Sequence, residues 1–228
     1  MVIDPPWTAD ALRQEICRVG RSLFERGYVH ATAGNISVRI PPELGGGFLI
    51  TPTDACLGFL IPEQLAWIDD AGVQQGGRPA SKTLSLHRRI YSADRHAHCV
   101  IHTHSTHLVA ITLQHPDAQG DLIPPITPYF VMKVGHVPRI PYHRPGDPRV
   151  AELVAQEIVR SQAAGRTLRA VMLDRLGPNV WHNSPAQAMA VLEELEETAR
   201  LWLLCSPRPA PLNAPQIDEL RRQFDAQW

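Results

Sequence analysis

Leu12, Ile16, Val19 and Leu23 recur at three- and four-residue intervals, which predicts a helix capped by Thr8 and running to about Arg26. Gly27 is placed to end it. The period then changes. ATAGNISVRI and GGGFLITPT predict two short strands joined by a Gly/Pro-rich turn. PEQLAWIDDAGVQQGG predicts a helical turn, then a strand and a turn. From Ser81 to about Ala93 the pattern is helical again, with Leu84, Ile90 and Tyr91 as core contacts. HCVIHTH predicts a buried strand and STHLVAITLQ a helix leaving its end. The prolines of IPPITPYFVMK and GHVPRIPY suit edge strands and loops, because proline cannot donate to a sheet ladder. DPRVAELVAQEIVRSQ is a helix with an acidic start, and TLRAVMLDRLGPNVWH predicts a hairpin turning at Leu-Gly-Pro-Asn. The best-marked helix runs from Ser184 to about Leu204, with Ser184 and Gln187 as a capping box and Pro185 at its first position. SPRPAPLNAPQ is a proline-rich linker into a final short helix over residues 216 to 226.

Helices and antiparallel-looking strands alternate without an internal repeat, so the class is α/β (α+β), built as one layered domain. The expected division is a domain over residues 1–205. Residues 206–228 then form a linker and helix packed on that domain or on a neighbouring subunit.

Composition narrows the function classes. At 228 residues, 44% hydrophobic and 20% charged, the chain has the make-up of an ordinary globular protein. Its formal net charge is −1 and its charges are interspersed, which argues against nucleic acid or a membrane surface as partner. Cys17, Cys56, Cys99 and Cys205 are scattered with no CxxC pair, so a reducing, cytoplasmic setting fits better than a disulfide framework. The N-terminal segment has no basic leader before an apolar stretch, and no apolar run approaches a membrane span.

The chemistry is concentrated in VIHTHSTH, residues 100 to 107. Side chains at i and i+2 of a strand share a face, so His102 and His104 project together. Two neutral imidazoles there are half of a metal site, which needs a third protein ligand and an open position. Taken alone, the spacing is a weak signal and better fits two buried or hydrogen-bonded histidines near a helix N-terminus. His96 and His98 follow a turn-like SADR and are expected in solvent, and His107 in a helix-packing or supporting contact.

AGNIS at 33–37, ITPT at 50–53, Pro79 to His87 and VIHTH at 100–104 occur in the order and spacing of a known family. The chain resembles the class II aldolase/adducin-like family over roughly residues 10 to 205. It is most similar to the 3-oxo-tetronate 4-phosphate decarboxylase branch and more distantly to L-fuculose-phosphate aldolase. TPTDACLGFL, ITPYFVMK, PYHRPGDP and LEELEETARLWLL carry the likeness further. The resemblance implies a central, mostly antiparallel sheet between helices, a homotetrameric ring, and a divalent metal, zinc above all. It implies carbanion chemistry beside a carbonyl, by C–C cleavage of a sugar phosphate or decarboxylation of a β-keto acid. By the same resemblance His102 and His104 are metal ligands. Gly34, Asn35, Thr53, Asp54, Ser81 and Lys82 bind the phosphorylated substrate, and Tyr129 donates a proton in a neighbouring subunit's site.

Two positions depart from the family pattern. The catalytic Glu, four residues before the helix histidine, is Thr83 here, and the third histidine ligand is Leu176. A hydroxyl that does not ionise near neutral pH cannot replace a general acid/base, which contributes about 10²–10⁴-fold in rate. Asp174 and His182 are the nearby replacements for the missing ligand, and His102, His104 and Asp174 also make a two-histidine, one-carboxylate set of the iron(II) type. The expectation is a lyase with altered chemistry or metal use, the alternative a degenerate member that binds or assembles.

Overall fold

The computed structural model describes residues 8–116 and 120–228; the first seven residues of the expected 1–205 unit lie outside them. In chain order the elements are α1 (Ala9–Glu25), β1 (Asn35–Arg39), β2 (Phe48–Ile50), β3 (Ala66–Ile68), β4 (Gln74–Gly76), α2 (Leu84–Ala93) and β5 (Cys99–His102). Then follow α3 (Thr106–Gln114), β6 (Arg139–Ile140), α4 (Pro148–Ala163), β7 (Ala170–Leu173), β8 (Gly177–His182), α5 (Pro185–Leu204) and α6 (Ala214–Phe224). The strands form one sheet in the order β4-β3-β2-β1-β5-β8-β7-β6. Every pairing is antiparallel except β6 with β7.

Alternation along the central strands divides the core in two. Ile36, Val38, Cys99, Ile101, Val180 and Met172 pack with α1, α3 and α5. Val100, Val171, Leu173 and Trp181 pack on the other face with Ile90 and Tyr91 of α2 and Val154 and Ile158 of α4. The result is a three-layer α/β/α domain with the sheet buried on both sides, as the alternation of elements requires. Thr8 caps α1 as expected, its hydroxyl accepting from Ala11 N at 3.1 Å.

Three local expectations are corrected. The β7–β8 turn lies at Asp174–Leu176, not at Leu-Gly-Pro-Asn, and Gly177, Pro178 and Asn179 begin β8. Arg175 takes the left-handed turn position at φ +65°. Gly177 is needed for a different reason, because a Cβ there would lie 1.9 Å from the Thr103 carbonyl oxygen. ITPYFVMK contributes a π-helical turn, Phe130–Val134, packed on α5 and α6, and only GHVPRIPY yields an edge strand, β6. The last helix starts at Ala214 because Asn213 and Gln216 close a full capping box. At Ser184 the hydroxyl accepts the Gln187 N–H at 3.3 Å, the first half of the box expected there.

The C-terminal segment is anchored by Ile217 and by Trp228, which stacks on His136 with ring centroids 4.3 Å apart. Among the described residues no helix is long and apolar enough to cross a membrane, and all four cysteines are free thiols.

Gly177 combines φ +136° with that close approach. Gly177→Ala is expected to lower stability by more than about 2 kcal/mol, since both backbone strain and a displaced strand must be accommodated. Urea unfolding measures it, and a loss under about 0.5 kcal/mol would contradict the packing described.

Candidate active site

The site is built where β1, β5 and β8 end together. Asn35 pairs with His102, and His102 with Asn179, so the three side chains stand in one row on the α2 face of the sheet. Gly34 makes this junction possible: at φ +84° its missing Cβ would sit 2.7 Å from the His102 carbonyl oxygen. His102 is buried, and His104 beyond the strand is half-buried, with ring centroids 5.1 Å apart. The sequence therefore placed this pair on one side correctly.

His102 Nδ1 lies 2.8 Å from the Pro178 carbonyl oxygen, to which it donates. That bond leaves Nε2 as the lone-pair nitrogen, the tautomer suited to a metal or a substrate proton. Burial, then the charge of His104, then offset by the Pro178 bond, holds His102 down to about 4. Burial first and His30 second hold His104 below the usual histidine range. The pair is neutral at pH 7.

Two loops meet beside α2. Thr53 N donates to Pro79 O at 2.9 Å, Ser81 N to Thr51 O at 3.2 Å, and the Thr53 hydroxyl to Ala80 O at 2.8 Å. This short ladder sets Thr53 and Asp54 against Ser81 and Lys82. Lys82 is exposed at the start of α2. Asp54 is left-handed at φ +55°, a conformation that glycine adopts more freely than aspartate. Thr83 is drawn to Ser81, the hydroxyls 2.8 Å apart. Tyr129 lies apart from these loops, exposed at the start of the π-turn.

Sequence reasoning missed three residues. Asn179 was assigned to a turn, yet it stands in β8 beside His102 and is fully buried. His87 of α2 is fully buried, its Nδ1 2.8 Å from the Ser37 hydroxyl, which also meets Tyr91 OH at 2.7 Å. Among the described residues, the buried side-chain nitrogens and oxygens without a hydrogen-bond partner are Asn35 Oδ1, His87 Nε2, and Asn179 Nδ2 and Oδ1. Glu196 of α5 is the third: it accepts from His107 N at 2.9 Å and Leu108 N at 3.1 Å, and meets His107 Nδ1 at 2.8 Å. It caps α3 directly after the histidine pair, which gives His107 the supporting contact expected of it. A correctly placed hairpin turn exposes Asn179 as polar in a central strand; nothing in the sequence points to Glu196.

The donor set does not match a three-ligand centre. Leu176, expected at the third position, offers no donor; it is partly buried and packs against the hydrophobic cluster between the sheet, α2 and α4. Asp174 is committed to Arg139 by two bonds, of 2.9 and 2.7 Å. His182 pairs with Cys99 at the far end of β5, on the opposite face from Asn179, and its Nδ1 meets Asn183. Neither can join His102 and His104, so the iron(II)-type set fails with them. Among the described residues no three His, Cys, Asp or Glu side chains are grouped to hold a metal ion.

The family model for the class II aldolase and adducin N-terminal domain matches residues 14–203. The chain belongs to this family. It is 51% identical to the 3-oxo-tetronate 4-phosphate decarboxylase of Cupriavidus necator over 226 residues, 97% of this chain and 99% of that one. It is 38% identical to the enzyme of the same name from Escherichia coli K12, over 92% and 95% of the two chains. The crystal structure of YgbL from Klebsiella pneumoniae superposes with a TM-score of 0.85 at 38% identity, covering 95% of this chain and all of that one. An L-fuculose 1-phosphate aldolase shares the fold, with a TM-score of 0.77 at 21% identity over 94% and 96% of the chains. These relatives make the chain a lyase of the class II aldolase type, in a family that generally works with a divalent metal.

Two outcomes follow from the site's geometry. Asp54→Gly is expected to raise stability by up to about 1 kcal/mol in thermal unfolding, because glycine occupies the left-handed region freely; a loss would mean that the Asp54 side chain holds the loop. Burial, then the charge of His102, pushes His87 down to about 3, whereas an unfolded histidine titrates near ~6.5. The unfolded chain thus binds the extra proton first as pH falls. The contribution is fully present above about 6.5 and is lost progressively as pH drops toward the folded value. Between pH 7 and 5 His87→Gln should lose about 2 kcal/mol less stability than the parent protein, read from urea midpoints; parallel pH profiles would refute it.

Proposed function

We propose that this protein is a lyase for a small phosphorylated sugar acid or ketose, with decarboxylation of a β-keto acid such as 3-oxo-tetronate 4-phosphate as its reaction. The observation that carries this reading is the ladder joining Thr51–Thr53 to Pro79–Ser81, which gathers two of the substrate loops beside the Asn35–His102 junction. It is supported by relatives of that name matching almost end to end.

The exposed ammonium of Lys82 is the cation for the phosphate, with Ser81 and Thr53 hydroxyls and the Gly34–Asn35 backbone completing the cradle. The keto acid then lies toward His102 and His104. Loss of CO2 breaks one C–C bond and leaves the electron pair on the adjacent carbon and its ketone oxygen. No leaving-group carbonyl needs a proton, so this half of the reaction tolerates Thr83. Return of a proton to carbon is the step that the missing Glu slows. The family's metal acts as a Lewis acid on substrate oxygens when bound; His102 and His104 are the residues here that match its ligands, and the missing third donor leaves no step to assign to it. In this reading Tyr129, exposed on its π-turn, serves a neighbouring copy in a homotetramer, and the setting is cytoplasmic, which accords with the free thiols.

Thr83 and Leu176 favour a second reading, a family member that binds phosphorylated ligands without turning them over. Carbon dioxide release from 3-oxo-tetronate 4-phosphate by the purified full-length protein separates the two. Release is expected, and phosphate binding with no release would establish the second reading. Lys82→Ala should weaken inorganic phosphate binding about tenfold in calorimetry; unchanged affinity would remove Lys82 from the site. Thr83→Glu is expected to raise turnover by at least tenfold through a restored acid/base, and no gain would mean that protonation does not limit the rate.

A further inference from the structure

Buried polar atoms without partners are costly to a fold, and among the described residues there are four. In this chain they are not scattered. Asn35 and Asn179 flank His102 in register, and His87 lies on α2 against the same face through Ser37 of β1. The same hairpin that carries Leu176 at the third-ligand position carries Asn179 three residues later, directly beside His102. Leu176 packs, partly buried, against the cluster between the sheet, α2 and α4, while the Asn179 side chain has no hydrogen-bond partner among the described residues. Its amide can turn toward a ligand without breaking a hydrogen bond.

We propose that Asn179 contacts the substrate and stabilises the enediolate oxygen, work that a three-histidine metal centre would otherwise do. This rests on the lyase reading above. When the C–C bond to the carboxylate breaks and CO2 leaves, its electron pair delocalises onto the ketone oxygen, and a proton from water later returns to carbon. The Asn179 Nδ2 hydrogens donate to that oxygen as it gains charge, and the effect is largest in a site shielded from water. Asn35 Oδ1, an unused acceptor one strand across β5, takes the proton of the neighbouring hydroxyl. A donor thus stands on one side of His102 and an acceptor on the other, one for each oxygen of an enediolate.

The test uses full-length protein stripped of metal in chelator and titrated calorimetrically with two probes, inorganic phosphate and phosphoglycolohydroxamate, a planar phosphorylated mimic of the enediolate. The parent protein should bind the hydroxamate at least tenfold tighter than phosphate. Asn179→Leu, close in volume, should lose that margin with phosphate affinity unchanged, and should melt at a higher temperature because an unpartnered amide has been removed. Asn179→Val gives the same comparison if leucine fails to fold. A margin that survives both substitutions, or that arises only after zinc is added, overturns the inference and leaves the lyase reading standing. Failure of phosphate itself to bind overturns the lyase reading and this inference with it.

Discussion

The structure depends on how closely three backbones pass at the end of β5. Gly34 lies against the His102 carbonyl and Gly177 against that of Thr103, and neither place admits a Cβ. Because of these two contacts, β1 and β8 can flank β5 to its last residue. The histidine pair, the Asn35 loop and the β7–β8 hairpin are consequences of the same junction. A side chain at either glycine would push a strand off the sheet, and the row Asn35–His102–Asn179 would no longer be a row.

Around that junction the scaffold is fixed by polar groups that do have partners. Glu196 reaches from α5 to cap α3 immediately beyond His104. Arg139 holds Asp174, so the hairpin turn cannot swing its carboxylate toward the histidines. Pro178, lacking an N–H, still serves His102 through its carbonyl and fixes the ring's tautomer. Bonded groups therefore surround the site, and unbonded ones lie at its floor. Proteins break the rule of satisfied polar burial mainly where function needs it.

Family membership and the local chemistry pull in different directions. The chain matches its relatives nearly end to end, and the Thr51–Thr53 and Pro79–Ser81 loops are joined by main-chain hydrogen bonds that do not depend on side-chain identity. Thr83 and Leu176 both find ordinary partners in this fold. Threonine pairs with Ser81, and leucine gains a hydrophobic neighbourhood. The architecture can thus persist while the chemistry it hosts is reassigned.

The sequence by itself determined the helices, most strands and the shared face of His102 and His104, because caps, hydrophobic period and strand parity are local properties. It also carried the family, through AGNIS, ITPT and VIHTH in order. Tertiary structure decided what depends on distant partners. Gly177-Pro178-Asn179 has the composition of a turn, but the glycine was required by a carbonyl over seventy positions earlier in the chain, so the turn formed at Asp174–Leu176 instead. That shift of register alone moved Asn179 into the sheet. Likewise Asp174 and His182 were near Leu176 in sequence and unavailable in space, one bonded to Arg139 and the other on the opposite face. Side-chain direction follows from pairing, and pairing is a property of the whole sheet.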